Sequence, residues 1–360
     1  MKKYVSFIGS HIIGWFVGYA IFSTSIYFII DNVATFKIPY GMEYTPYWQT
    51  VALSLFSAIL VGIPLGIIDG IAADFLKRKR SFRTAFLFKC TLYILILFFM
   101  MLFIGVFFRT YMQGQDLENS IKDSMSTFTL NYMIAYFIFS VALSIMINFI
   151  NQVNKMLGKG KLLPLFLGRY SHPRVEDRIF MFLDLKSSTT HAETLGHLLY
   201  SELIQDCFYD LNQVIVKYDA RIYQYVGDEA VLTWRLEQGI KDTNCLYLFF
   251  EFQKRLEKRT PYYQDKYGLV PTFKAGINNG EVTVTEVGDV KREIAYHGDV
   301  LNTAARIQSV CNQYQKELLI SENLYKKLPN NGLQKDLIGE LELKGKLTAV
   351  KVYSVQKMES

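Results

Sequence analysis

The sequence predicts an α-helical four-span membrane bundle followed by an α+β, ferredoxin-like palm domain. Three observations carry that expectation. Four apolar stretches within the first 150 residues are each long enough to cross a bilayer, which takes a helix of about 20 residues. The net charge of +6 lies wholly in this half. Through residue 160, Lys and Arg number 13 against 7 Asp and Glu, while the remaining 200 residues hold 26 of each. Beyond residue 178 the pattern changes to short apolar runs alternating with segments of helical periodicity.

Composition excludes several classes. A chain that is 51% hydrophobic, with 27 Phe and 24 Tyr, is not disordered. Its four cysteines, Cys90, Cys207, Cys245 and Cys311, form no CxxC or CxxH pair, so neither a zinc site nor a disulfide framework is indicated. A basic surplus confined to the apolar half is a membrane-orientation signal rather than a nucleic-acid footprint. The expected partner of that half is the lipid bilayer, with no nucleic acid.

The spans are expected at Val5 to Ile30, Val51 to Phe75, Thr84 to Phe108 and Phe128 to Ile150, within a membrane domain covering residues 1–150. The first follows Lys2 and Lys3 but is too long for a signal-peptide core and lacks a clean cleavage site, so it is read as a retained anchor. Cations cluster before the first span, between the second and third (Lys77, Arg78, Lys79, Arg80, Arg83) and after the fourth (Lys155, Lys159, Lys161). The alternate loops hold only Lys37, Arg109 and Lys122. All three basic segments share one side when the number of spans is even. This predicts an integral protein of the cell inner membrane with both termini in the cytoplasm. Within the spans, Asp69 and Lys89 lie near helix ends and are expected to snorkel to the headgroups, whereas His11 lies deeper. Pro64, between Gly62 and Gly66, predicts a kink.

Residues 151–177, punctuated by Pro164 and Pro173, read as a transmission linker into a domain covering residues 178–355. Arg178 to Asp184 is a continuous apolar run ending in a carboxylate, as expected of a buried central strand. Ser187, Ser188, Thr189 and Thr190 can cap the helix that follows. Two β-rich runs, Ala220 to Val226 and Glu229 to Trp234, flank Gly227-Asp228 and predict a hairpin with Asp228 at its tip. On the next helix, near Thr243 to Lys258, the cations Lys254, Arg255, Lys258 and Arg259 read as a solvated face. Strands near Thr272 to Ile277 and Glu281 to Glu286 are expected to be joined by an Asn278-Asn279-Gly280 turn. A helix over Val300 to Cys311 and late strands near Leu318 and Val350 complete the pattern.

In a palm built in this order, the end of the first strand lies beside the hairpin tip, so Asp184 and Asp228 are expected to share one or two Mg²⁺ ions. Hard oxygen ligands that leave room for phosphates suit phosphoryl or nucleotidyl transfer. The helix start at Ser187 to Thr190 aims its free N–H groups at the same place, which favours a phosphate.

These residues resemble a class III nucleotidyl cyclase domain, of the membrane-anchored bacterial type with one catalytic domain. The resemblance runs through Phe182-Leu183-Asp184-Leu185-Lys186-Ser187-Ser188-Thr189, Tyr225-Val226-Gly227-Asp228 and Lys274-Ala275-Gly276-Ile277-Asn278-Asn279-Gly280-Glu281-Val282. It continues through Gly298-Asp299-Val300-Leu301-Asn302-Thr303-Ala304-Ala305-Arg306 and Leu343-Lys344-Gly345-Lys346. It implies attack of a ribose 3′-oxygen on the α-phosphorus of a nucleoside triphosphate, giving a cyclic nucleotide and pyrophosphate. By the same resemblance, Asp184, Asp228 and the Leu185 carbonyl hold two Mg²⁺ or Mn²⁺ ions. Asn302 orients the ribose, Arg306 stabilises the transition state, and Lys346 contacts the terminal phosphates. The family's sites form between two catalytic domains, so a single domain implies a homodimer.

The match departs from the family at the base-selecting positions, where Gln224 and Ala295 replace the usual adenine-selecting pair. Gln can address adenine, guanine or a pyrimidine, and Ala295 makes no side-chain hydrogen bond, leaving Gln224, backbone groups or Tyr296 to select the base. ATP is the expected substrate, with GTP or a pyrimidine nucleotide as alternatives. Two rivals from other classes are a diguanylate cyclase and a non-catalytic nucleotide-binding receptor. The first is disfavoured by Val226 before Gly227-Asp228-Glu229 and leaves Asn302 and Arg306 without a role.

Overall fold

Each of the four apolar stretches folds as a long helix: α1 (Lys2–Asn32), α2 (Tyr47–Phe75), α3 (Phe82–Met112) and, after a short α4 (Leu117–Ser126), α5 (Leu130–Leu157). A computed structural model describes residues 2–32, 47–75, 82–112, 114–126, 130–158, 162–329, 332–341 and 349–357. The chain divides into two compact units, Met1–Met156 and Leu157–Ser360. Of the residues singled out in the sequence, Lys37, the Lys77 to Arg80 run, Lys159, Lys161 and Lys346 lie outside the described residues.

Among the described residues, two helices carry an apolar stretch long enough to cross a membrane, at Phe7–Ser25 in α1 and Ser54–Ile71 in α2. The apolar stretches of α3 and α5, Leu87–Met100 and Phe137–Asn151, are shorter. In α2, Gly62 and Gly66 let the α1 backbone approach closely. A methyl group on Gly66 would lie 2.5 Å from the Ile8 Cα. Pro64 sits inside α2, which runs on through it.

The first unit is apolar outside and encloses an apolar core around Trp15, Leu65, Leu97 and Ile147 together with several polar groups. Ile13, Phe99 and Phe149 are exposed, whereas His11, Asp69, Ser140, Ser144 and Asn148 are buried. Asp69 does not snorkel: it is 1% exposed. Its Oδ1 pairs with Lys89 Nζ at 2.6 Å and accepts from the Tyr93 hydroxyl at 2.6 Å, and its Oδ2 lies 3.0 Å from His11 Nε2. Distance to a helix end, the basis of the snorkelling expectation, says nothing of which way the helix is turned.

The second unit is an α+β domain. After α6 (Leu162–Phe166) come β1 (Arg174–Leu185), α7 (Ser188–Ile215), β2 (Arg221–Val226), β3 (Glu229–Arg235), α8 (Leu236–Ile240), α9 (Asn244–Lys258) and α10 (Thr260–Tyr267). Then follow β4 (Phe273–Val287), β5 (Glu293–His297), α11 (Asp299–Ser309), β6 (Leu318–Ser321), α12 (Glu322–Tyr325), β7 (Leu333–Leu341) and β8 (Val350–Lys357). The sheet runs β2-β3-β1-β4-β6-β8-β7, with β5 added on β4. Alternation along β1 sends Ile179, Met181 and Leu183 into a core with Leu203, Cys207, Leu211, Phe249 and Phe252 of α7 and α9. Phe180 and Phe182 face the other way, against Val300 and Ala304 of α11.

Three expectations need correction. Residues 278–280 form no turn: β4 runs straight through them, paired with β1 from Arg174↔Val284 to Leu185↔Phe273. Long-range pairing overrides the local turn signal of Asn-Asn-Gly. The basic face of α9 is solvated only in part. Lys254 and Lys258 are exposed, but Arg255 and Arg259 both pair with the fully buried Asp210, which also accepts from the Tyr263 hydroxyl at 2.7 Å. A charge buried on α7 recruits cations from a helix whose own pattern does not reveal it. Finally, Ser187 is a left-handed residue (φ 55°) that makes no side-chain cap, although it does precede α7.

Candidate active site

Asp184 and Asp228 come together through strand pairing. Asp184 ends the apolar run of β1, directly opposite Glu229 at the start of β3, and Asp228 precedes Glu229 in the β2–β3 turn. Gly227 takes the left-handed conformation (φ 61°) that this tight turn requires. On its other side Asp184 faces Lys274 of β4. A row Lys274–Asp184–Glu229 therefore crosses three strands on one face of the sheet, because directly opposed residues share a face.

Two contacts hold Asp184 from the protein side. Its Oδ2 lies 3.3 Å from Lys274 Nζ and accepts from Gln308 Nε2 of α11 at 2.8 Å. Lys274 is 8% exposed, so its charge is committed to this corner. Burial pushes the Asp184 carboxyl above its ordinary range, Lys274 pulls it down and the neighbouring Asp228 raises it again. Glu229 is raised to about 7 by burial and by the charges of Asp184 and Asp228. Burial, with the Asp228 charge nearby, raises the Tyr200 hydroxyl of α7 to about 12.

The acidic corner fits a divalent cation. Asp228 Oδ2 is buried and has no hydrogen-bond partner, so one hard oxygen is desolvated and uncompensated. Among the described residues no group of three or more His, Cys, Asp or Glu side chains converges to hold a metal. The carboxylates of Asp184 and Asp228 and the backbone carbonyl of Leu185 are hard oxygen donors, of the kind that suits a divalent cation and leaves coordination positions for phosphate oxygens.

The helix that bears Asn302 and Arg306 is seated by glycine. At Gly276 of β4 a methyl group would lie 2.2 Å from the Gln308 nitrogen and 2.6 Å from the Ala304 carbonyl, so only a bare Cα lets α11 pack this closely. Asn302 and Arg306, four apart on α11, share a face of the helix. Asn302 is exposed, Arg306 half-buried, and neither bonds to Asp184 or Asp228 among the described residues. Gln224 is exposed on β2, and Ala295 is paired with Thr285. The Tyr296 ring is taken up by Phe180 and Tyr223 at 5.3 and 5.0 Å, with the Arg178 guanidinium 5.0 Å from its centre. Ser187 to Thr189 open α7 directly after β1, on the chain side of Asp184.

Lys274, Gln308, Glu229 and Tyr200 were not among the expected site residues. A lysine inside the apolar run of β4 is a readable signal, since a buried lysine needs an anion beside it. Gln308 has a weaker one, falling one helical turn beyond Ala304 on the face of α11 that meets the sheet.

Residues 171–357 match the family described as the adenylate and guanylate cyclase catalytic domain. The chain belongs to that family. It is 33% identical over 219 residues to "Adenylate cyclase 2" of Rhizobium meliloti (strain 1021), a match that spans 61% of this chain and 60% of that relative. With an adenylate cyclase of Anabaena cylindrica the identity is 25% over 185 residues, covering 49% of this chain and 36% of that one. The fold is similar to that of a bacterial light-regulated adenylyl cyclase, with TM-score 0.54 and 18% identity over 64% of this chain and 68% of the other. The family region begins within the second unit, so the first unit lies outside it.

Proposed function

We propose that the chain is a membrane-anchored adenylate cyclase that converts ATP to 3′,5′-cyclic AMP and pyrophosphate. The observation that carries the reading is the half-buried pair Asp184 and Asp228, with one enclosed oxygen left without a partner, in a domain of the cyclase family. Asp184, Asp228 and the Leu185 carbonyl would hold two Mg²⁺ or Mn²⁺ ions, whose chemistry when bound would be to acidify the ribose 3′-hydroxyl and to neutralise charge on the leaving pyrophosphate. Ser187, Ser188 and Thr189 offer hydroxyl and backbone N–H groups to the triphosphate at the start of α7. Lys274 lies within reach of the same phosphates, since its ammonium already meets Asp184.

Asn302 orients the ribose and Arg306 stabilises charge on the α-phosphoryl group, a task for which a planar guanidinium fork is suited. Among the described residues neither bonds to the acidic pair of its own copy; a second copy supplies them, and the enzyme works as a homodimer with two equivalent sites. Lys346 contacts the terminal phosphates. Gln224 reads the base, since the Ala295 side chain offers no polar atom and the Tyr296 ring is held in its own aromatic cluster.

The first unit is a four-span bundle with both termini in the cytoplasm, residues 151–177 forming the linker and 178–355 the catalytic domain. Its apolar exterior and the enclosure of the ionisable His11 and Asp69 support a lipid setting.

The test is an assay of the full-length protein in detergent with Mg²⁺ or Mn²⁺ and each ribonucleoside triphosphate separately, with Asp184→Ala and Arg306→Ala as controls. Cyclic AMP as the main product, abolished in both controls, is the expected result. Another cyclic nucleotide would keep the chemistry and overturn the assignment of ATP, and no product from any would overturn the enzyme reading.

A further inference from the structure

Gln308 breaks the pattern of the helix that carries it. Val300, Ala304 and Ile307 of α11 are buried apolar side chains, and Gln308 lies beside them at 6% exposure. An apolar residue would fill that place with no polar group to desolvate, so a buried amide there needs a bond. Its Nε2 donates to Asp184 Oδ2 at 2.8 Å, across 124 residues of sequence. Chemistry fixes the direction of that bond, because only the amide nitrogen can donate to a carboxylate oxygen.

The backbone around Gln308 is held on both sides. At the start of α11, Asn278 Nδ2 of β4 donates to the Val300 carbonyl at 3.2 Å. Just past its end, the Cys311 thiol meets the Ala275 carbonyl of β4 at 3.5 Å. Between them lies Gly276, where a methyl group would come within 2.2 Å of the Gln308 nitrogen. In the strand register Gly276 stands opposite Phe182 and Lys274 opposite Asp184, so the glycine that seats Gln308 is two residues from the lysine facing Asp184. Lys274 and Gln308 both address Oδ2, and neither uses Oδ1. Their effects differ. Lys274 brings a positive charge that competes with a cation for the carboxylate, whereas the neutral amide orients the same group without cancelling its charge.

We propose that Gln308 is a positioning residue of the cation site, one that holds the Asp184 carboxylate in its metal-binding orientation and ties it to α11. The inference rests on the reading of Asp184 and Asp228 as cation ligands. A carboxylate free to turn about its side-chain torsions must be ordered when a cation binds, and a fixed donor on one oxygen removes that cost in advance. The same helix carries Asn302 and Arg306. One element pinned along β4 therefore sets the metal ligand of its own copy and presents the two residues that, in a homodimer, serve the other.

The test is Mn²⁺ binding to the full-length, nucleotide-free protein in detergent, followed by electron paramagnetic resonance, in wild type and Gln308→Met. Methionine keeps the length and apolar stem of glutamine and removes the donor. The expected result is a Mn²⁺ affinity about tenfold weaker, the lower end of the losses seen when a group that orients a metal ligand is removed. In cyclase assays the Mn²⁺ concentration for half-maximal rate should rise by the same factor, while the rate at saturating Mn²⁺ changes little. Asn302→Ala is the contrast, with a lower saturating rate and unchanged Mn²⁺ affinity. If Gln308→Met does not fold, Gln308→Ala removes the same donor. Equal Mn²⁺ affinity in wild type and the Gln308 variant overturns the proposal, and so does an equal loss of affinity in Asn302→Ala. A lower unfolding temperature in a chelator with Mn²⁺ affinity intact also overturns it, since Gln308 would then serve packing alone. Wild type that binds no Mn²⁺ overturns the reading of the acidic pair itself, a result distinct from the others.

Discussion

Both units set a carboxylate beside a lysine, Asp69 fully enclosed and Asp184 half-buried, and they treat it in opposite ways. Asp69 receives three donors, from Lys89, Tyr93 and His11, and carries no like charge beside it. Asp184 has Lys274 and Gln308 on one oxygen but stands next to Asp228 and Glu229, and Asp228 keeps a buried oxygen with no partner. The first charge is completed by the protein itself. The second set is left short of positive charge, so it gains from a bound cation. A buried charge that is fully paired resists removal of any partner, whereas a crowd of like charges is relieved by it.

The largest effect should come from breaking the acidic set. Asp184→Asn and Asp228→Asn are each expected to lower the cyclisation rate by about a thousandfold or more, the scale seen when a preorganised charge is removed from a transition state. Metal-free, the same variants should unfold at an equal or higher temperature than wild type, because a repulsion is gone. Initial rates and thermal unfolding in a chelator measure both. A clear drop in unfolding temperature would mean that these carboxylates also hold the fold.

Asp69→Asn should do the reverse. It leaves Lys89 and its neighbours facing a neutral amide in an apolar unit, with an expected loss of roughly 3 kcal/mol. Unfolding of the full chain in lipid reports the loss, and Mn²⁺ binding followed by electron paramagnetic resonance should be unchanged. Weakened Mn²⁺ binding would show that the two charge systems are not separate. A smaller effect is expected from Gly276→Ala, which drives a methyl group against the backbone of α11. Overpacking of this kind costs about 2 kcal/mol. It should also separate Gln308 from Asp184, so that activity falls further than stability alone explains. A fully active, less stable variant would free α11 from any positioning role.

Much of the fold and half of the site could be read along the chain. β1, the β2–β3 hairpin and the start of α7 announce themselves through an apolar run, a Gly-Asp turn and a cluster of hydroxyl residues, so Asp184 and Asp228 were legible as a pair. The β4 strand was not, because Asn278-Asn279-Gly280 looks like a turn until β1 pairs with it on one side. The polar strands β5 and β7 were missed because their pairing comes from β4 and β8, not from their own alternation. Contacts between distant segments were hidden for the same reason. Gln308 and Asp184 are 124 residues apart, and His11 and Asp69 are 58 apart. Position in a helix tells how deep a residue lies but not which neighbour it faces.

The smallest effect sharpens the comparison most directly. Glu229 is held near 7 in the folded protein, above its ordinary value of 4.5, first by burial and then by Asp184 and Asp228. A carboxyl raised on folding adds nothing unfavourable below its ordinary value and opposes folding once pH passes its folded value. The metal-free protein should therefore lose stability between about pH 4.5 and pH 7 on account of this residue. Glu229 is only half buried, so solvent screening reduces the full shift to an expected contribution of about 1 kcal/mol. Glu229→Gln should be more stable than wild type at pH 8 and equal to it at pH 4.5, and added Mg²⁺ should narrow the gap by supplying the missing positive charge. Equal stability at pH 8 would mean that solvent already compensates this third carboxylate. The under-compensated charge in the second unit would then reside in Asp184 and Asp228 alone.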